Sequence, residues 1–149
     1  MAAPVEIVHR LRIARPPSAV WPYLVDWEHL DRWMEEISDV RVVTGHRHGL
    51  GVEAEATVRI GGISTRDHIR VTRWEPPRVL EIAHLGWVRG SGHMELTPTG
   101  DQSVLAWREL LVAPWGPVGA LGMRAFRPVL RRVFRRDIRR LRHLVERET

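Results

Sequence analysis

Residues 118–147 read VGALGMRAFRPVLRRVFRRDIRRLRHLVER, and the spacing within them decides the fold. Met123, Phe126, Leu130, Val133, Phe134, Ile138, Leu141, Leu144 and Val145 recur at steps of three and four, which sets them along one face of an α-helix. At 1.5 Å per residue that helix would run roughly 45 Å, well beyond the ~11–12 residues of an average one. A helix of that length with one apolar stripe needs a broad apolar surface to lie on. The residues before it alternate in the manner of β-strands, so a sheet is the surface to expect.

Val5, Ile7, His9, Leu11 and Ile13 alternate with Glu6, Val8, Arg10 and Arg12 until Pro16-Pro17 ends the strand. A short helix fits 18–25, and Asp26 is placed to cap a second one running to Trp33 or Met34. Strands follow over 40–44 and 52–60, with Gly61-Gly62 predicting a tight hairpin into 63–74. Pro76-Pro77 breaks the chain before 79–85, and a last hairpin pairs 90–97 with 103–111 around Pro98-Thr-Gly-Asp101. The order is β-αα-β6-α, an α+β fold whose successive hairpins imply a seven-stranded antiparallel sheet under the terminal helix.

A chain of 149 residues reads as one domain, long enough to bury ~68–70% of its unfolded surface. There is no cysteine, so neither a disulfide scaffold nor thiol chemistry is available. No apolar run approaches the ~18 residues of a membrane span, and the first residues lack the apolar core of a signal peptide; a cytoplasmic protein is the expectation. All 23 basic residues are Arg, and ten of them lie in 118–147 against Asp137 and Glu146. That segment carries +8 and the rest of the chain −3. The basicity belongs to one helix. It is read first as a solvated face, and second as a surface for an acidic protein or an anionic membrane. Nucleic acid is not an expected partner, because no base-stacking platform accompanies the charge. Oligomeric state leaves no mark in the sequence.

Several local phrases resemble the SRPBCC superfamily, the START or Bet v 1-like helix-grip fold, and within it the bacterial polyketide cyclase/dehydrase branch. They are Ala19-Val20-Trp21, Leu24-Val25-Asp26 running to Trp33, Gly51 and the Gly61-Gly62 turn. Val71-Thr-Arg-Trp-Glu-Pro-Pro-Arg78 and Leu105-Ala-Trp-Arg-Glu109 complete the set. The resemblance implies a curved sheet gripping the last helix, with a hydrophobic cavity between them. Members include lipid carriers, hormone receptors and cyclases, so the fold leaves the chemistry open.

Strand parity indicates which polar side chains point inward. His9 shares a face with Ile7 and Leu11, Asp67 with Ile69 and Val71, His84 with Leu80 and Ile82, and Glu109 with Leu105 and Trp107. On apolar faces such groups suit acid–base work, since desolvation raises a carboxyl pKa and His begins near ~6.5. Asp67, His84 and Glu109 are the candidate catalytic groups, with His84 read as a proton acceptor; the alternative is a structural or ligand-orienting role. The expected ligand contacts are His9, Trp33, Trp87, Met94 and Trp107 from the sheet side, and Phe126, Leu130 and Val133 from the helix. Trp115, between Pro114 and Pro117, is placed to cover one end of the cavity. His46 and His48 fall in a Gly-bounded turn without a carboxylate or Cys beside them, so no metal site is expected. No P-loop, GxGxxG, GxSxG or HExxH motif occurs, which leaves nucleotide-dependent and standard hydrolase chemistry unsupported.

The leading expectation is a hydrophobic-ligand binder for a polyketide-like, aromatic or lipidic molecule. The second is a cyclase or dehydratase that needs no cofactor. The third is a carrier that docks through its Arg face.

Overall fold

The computed structural model describes residues 4–148. β1 (Val5–Ile13) leads into α1 (Pro17–Leu24), where Pro17 occupies the first turn, a position that lacks an intrahelical N–H partner anyway. A 3-10 helix (Trp27–Arg32) follows, then β2 (Ile37–Val42), β3 (Glu53–Ile60), β4 (Ile63–Glu75), β5 (Val79–Leu85), β6 (Arg89–Thr99) and β7 (Gln102–Val112). The chain closes with α2 (Gly116–Glu148). All seven strands form one antiparallel sheet in the order β1-β7-β6-β5-β4-β3-β2, curved over α2 as the helix-grip expectation requires. Gly61 and Gly62 adopt φ of 58° and 82°, the two left-handed residues that a two-residue hairpin demands.

Two local readings change. The second helix is a 3-10 turn that stops at Arg32, because the Asp26 side chain makes no capping bond and instead accepts from His29 Nδ1 at 2.9 Å. The second strand begins at Ile37, three residues early. A register shift between Ser38 and Arg41, with Asp39 at φ 53°, breaks the alternation that would have revealed it.

The stripe on α2 is buried from Leu130 onward: Leu130, Phe134, Ile138, Leu141, Leu144 and Val145 all pack inward. At about 1.5–3 kcal/mol for each buried side chain of this size, that half of the helix is the main contact holding α2 to the sheet. Trp107 joins the layers, with its ring centroid 5.8 Å from Trp33 and 5.1 Å from Phe134. The earlier half of α2 is different. Val118, Leu121, Arg124, Arg127 and Val129 are exposed, and Pro128 interrupts the helical hydrogen bonds near the boundary.

Candidate functional site

His84 sits between two carboxylates. Its Nδ1 meets Asp67 Oδ2 at 2.8 Å and its Nε2 meets Glu109 Oε2 at 2.8 Å. The indole Nε1–H of Trp107 donates to Glu109 Oε1, also at 2.8 Å. Sheet register explains how residues so far apart in sequence converge. His84 pairs with Ile69 on one side, two residues from Asp67, and with Gly90 on the other. Glu109 pairs with Gly92 across β6. His84 and Glu109 therefore lie on strands separated by β6, two strand spacings or roughly 9.6 Å apart, and their side chains meet over it.

They can do so because β6 contributes no side chain at that level. A Cβ on Gly92 would lie 2.6 Å from Glu109 Oε1. A Cβ on Gly86 would lie 2.7 Å from the Arg66 carbonyl oxygen and 3.0 Å from Asp67 Cα, so the end of β5 passes against the Asp67 backbone only as glycine. Gly92→Ala is accordingly expected to displace the Glu109 carboxylate and bring the His84 pKa down by about 1–3, the worth of one close opposite charge. An NMR titration of the His84 imidazole checks this; an unchanged titration would mean that Glu109 swings aside without losing its contact.

Burial works against a charged His84, but the Glu109 charge and the hydrogen bonds to Asp67 and Glu109 outweigh it and push its pKa up to about 10. Both ring nitrogens then carry protons and donate to carboxylates. His84 is thus an imidazolium at neutral pH. This counts against the reading of His84 as a proton acceptor, since both ring nitrogens face carboxylates and already carry protons. Asp67 Oδ1 makes no hydrogen bond among the described residues, which leaves it as the open acceptor of the cluster.

The three side chains line a cavity of about 570 Å³ between the sheet and α2. Its other walls are mostly apolar, with Ala54, Ile69, Ile82 and Met94 from the sheet and Phe126, Leu130 and Phe134 from the helix, while Thr65 and the Arg66–Glu55 ion pair add polar groups. Glu36 also lines it, and behind Glu36 lies the wholly buried Asp137. Glu36 Oε1 and Asp137 Oδ2 are buried oxygens with no donor among the described groups. Burial raises both pKa values, and for Asp137 the hydrogen bond and charge of Glu36 raise it further, to about 9. A proton shared between the two carboxyls is the arrangement that satisfies both oxygens, with Arg136 Nη2 at 3.7 Å from Glu36 Oε1.

Residues 4–146 match the family described as polyketide cyclase / dehydrase and lipid transport. The chain belongs to that family. Its architecture is the family's hydrophobic ligand-binding helix grip. Relatives include uncharacterised proteins of two Mycobacterium tuberculosis strains, each 30% identical over 115 residues that cover 73% of this chain and 79% of theirs. Among solved structures, a Thermus thermophilus protein superposes with a TM-score of 0.83 at 17% identity, covering 97% of this chain and 99% of its own. The Zhui aromatase/cyclase from a Streptomyces species gives 0.81 at 18% identity, covering 97% and 94%. A START superfamily protein from Mycobacterium smegmatis gives 0.74 at 14%, covering 97% and 99%. At these identities the likeness is one of fold.

Within this family fold, the structure brings Asp67, His84, Trp107, Glu109, Met94, Phe126 and Leu130 onto the cavity wall, and Trp87 and Trp115 to its mouth. Three other residues expected at the ligand fall elsewhere. His9 is on the edge strand, where the inward face meets α2 directly; its Nε2 lies 3.0 Å from the Arg131 carbonyl, beside a separate groove. Trp33 is buried behind the wall, edge-on to Trp107, with its Nε1–H on the Tyr23 carbonyl. Val133 is turned off the cavity face and packs against the core. Among the described residues no group of three or more His, Asp and Glu is placed to hold a metal ion, and His46 Nε2 instead meets the Leu50 carbonyl. Sequence reasoning missed Gly86, Gly92 and the Glu36–Asp137 pair. Asp137 carried a usable signal, since it falls on the apolar stripe between Phe134 and Leu141.

Proposed function

We propose that the protein takes an uncharged polyketide-like or aromatic ligand into this cavity, and that Asp67, His84 and Glu109 carry out a cofactor-independent cyclisation or dehydration on it. The observation that supports this reading is one imidazolium held between two carboxylates on a mostly apolar wall. The cluster carries a net negative charge on a mostly apolar wall. It disfavours a carboxylate or sulfate group and favours a carbonyl or hydroxyl that exchanges a proton.

Asp67 Oδ1 takes the proton α to a ligand carbonyl, and the neighbouring imidazolium charge offsets the enolate that forms. In a dehydration Asp67 returns that proton to the β-hydroxyl, which leaves as water while a C=C bond forms. In a cyclisation the enolate carbon attacks a second carbonyl of the same chain, and the proton goes to the new alkoxide. Cavity walls that hold the chain bent supply the proximity either reaction needs. Neither route moves electrons to or from an outside acceptor.

Native mass spectrometry of the purified protein, with 1,8-dihydroxyanthraquinone as a neutral aromatic probe, tests the binding half. Ala56→Trp fills the cavity from β3 and is expected to weaken probe binding about tenfold or more with the fold retained by circular dichroism. Equal affinity in the filled variant would place the ligand elsewhere.

A further inference from the structure

The mouth of the cavity is built from three connections: the β3–β4 hairpin carrying Ile63, the β5–β6 loop carrying Trp87, and the β7–α2 loop carrying Trp115. Side chains that line a cavity are normally covered. Here Ile63 is 53% exposed, Trp87 46%, Trp115 71% and Val118 77%. The two indoles stand edge-on with centroids 5.0 Å apart, so they form one raised apolar ridge. Leu121, one helical turn beyond Val118 and 70% exposed, extends it along α2. Beside this ridge the same helical segment presents Arg124, Arg127, Arg131 and Arg132 to solvent. Among the described residues, the ion-paired arginines of α2 are Arg136 and Arg140, farther along the helix.

We propose that this rim is a docking surface for an anionic lipid bilayer, seated with Trp115, Trp87 and Leu121 in the headgroup region and the Arg flank on lipid phosphates. The inference rests on the reading that the cavity takes an apolar ligand, which would then pass between lipid and protein without crossing water. Charge and composition select the occupant. Indoles favour the membrane interface over water or hydrocarbon, and a cationic flank is drawn to an anionic surface. A second copy meeting rim to rim would bring two flanks of Arg124, Arg127, Arg131 and Arg132 together, which disfavours a symmetric dimer. No helix of the described residues is long and apolar enough to cross a membrane, so the association is peripheral.

Co-sedimentation with vesicles of mixed phosphatidylcholine and phosphatidylglycerol, against vesicles of phosphatidylcholine alone, tests the proposal. The expected result is binding to the anionic vesicles with a blue shift of tryptophan emission, weakened by added salt. Binding should fall about tenfold or more in the Leu121→Ser/Arg124→Gln/Arg127→Gln variant. None of these three side chains lines the cavity, so uptake of 1,8-dihydroxyanthraquinone in vesicle-free solution should be unchanged. Absence of binding, equal binding to both vesicle types, or a concentration-dependent dimer abolished by the same triple variant would overturn it. Vesicle binding without probe uptake would leave the docking surface standing and defeat the ligand reading instead.

Discussion

His84→Ala is expected to lose about 3–5 kcal/mol of folding stability at neutral pH, the scale for removing one partner from a buried charge cluster. The variant strips the cation from between Asp67 and Glu109 and leaves two carboxylates facing each other in a largely apolar cavity. Because the folded-state pKa of His84 is raised from 6.5 to about 10, its contribution is complete below about 6.5 and disappears as pH rises through about 10. Urea titrations of the two proteins should therefore converge at high pH. Adding Glu109→Gln to the variant should restore part of the loss, since it removes one uncompensated charge. A pH-independent difference would show that packing, not charge, is what His84 supplies. Under the proposed chemistry, turnover of a true substrate should fall by about 10²–10⁴ in the same variant, the ordinary worth of acid–base assistance.

The second large effect concerns Glu36 and Asp137. Their carboxyls hold a proton in the folded protein that they release on unfolding, so the folded state binds more protons and stability must fall as pH rises above the ordinary carboxyl range. One full proton of difference is worth about 1.4 kcal/mol per pH unit. The half-buried Glu53 and the exposed Glu75 and Glu148, whose pKa values are lowered by hydrogen bonds to His68, Arg73 and Tyr23, have the opposite sign, and their effect is complete once they ionise. His84 adds its own decline only above about 6.5. His9, whose pKa burial lowers, opposes that decline below about 6.5, but it is common to parent and variant, so between about pH 5 and 6.5 a comparison with an Asp137 variant isolates the slope of the buried pair. Asp137→Asn supplies an amide donor to Glu36 in place of the shared proton. It is expected to flatten that slope and to be more stable than the parent at about pH 8, by urea denaturation. Identical slopes in the two proteins would mean that the carboxyls are not sharing a proton.

How much of this was legible beforehand depends on which physical rule each residue obeyed. Asp67, His84 and Glu109 were found by counting in twos, which works where strands run without interruption. The register shift in β4 lies at Val71–Arg73, beyond Asp67, and leaves that count intact. His9 obeyed the same count and still fell outside the cavity, because parity fixes the face of a sheet but not what covers it. Trp33 was displaced when the second helix became a 3-10 turn whose exit turns the indole into the core. Gly92 was silent because a glycine reads as a weak strand residue. Its importance lies in the space it leaves to two other strands. Glu36 and Asp137 could not be paired from sequence, since nothing local links a residue before β2 to the middle of α2. Asp137 was read among its Arg neighbours as a balancing charge, although its helical position is apolar.

The uneven burial of α2 has a consequence for how the molecule breathes. Beyond Leu130 the helix is bound to the sheet by nearly every third or fourth residue, and opening it there means dismantling the core. Before Pro128 it rests mainly on Met123 and Phe126 over the cavity, with Gly119 tucked against Pro114. Amide protons in the two halves of this one helix should thus exchange on separate timescales, the first by local fraying and the second only by global unfolding. Entry to the cavity then requires no hinge or second domain. Fraying of those first turns would expose the interior at a cost below that of unfolding the chain.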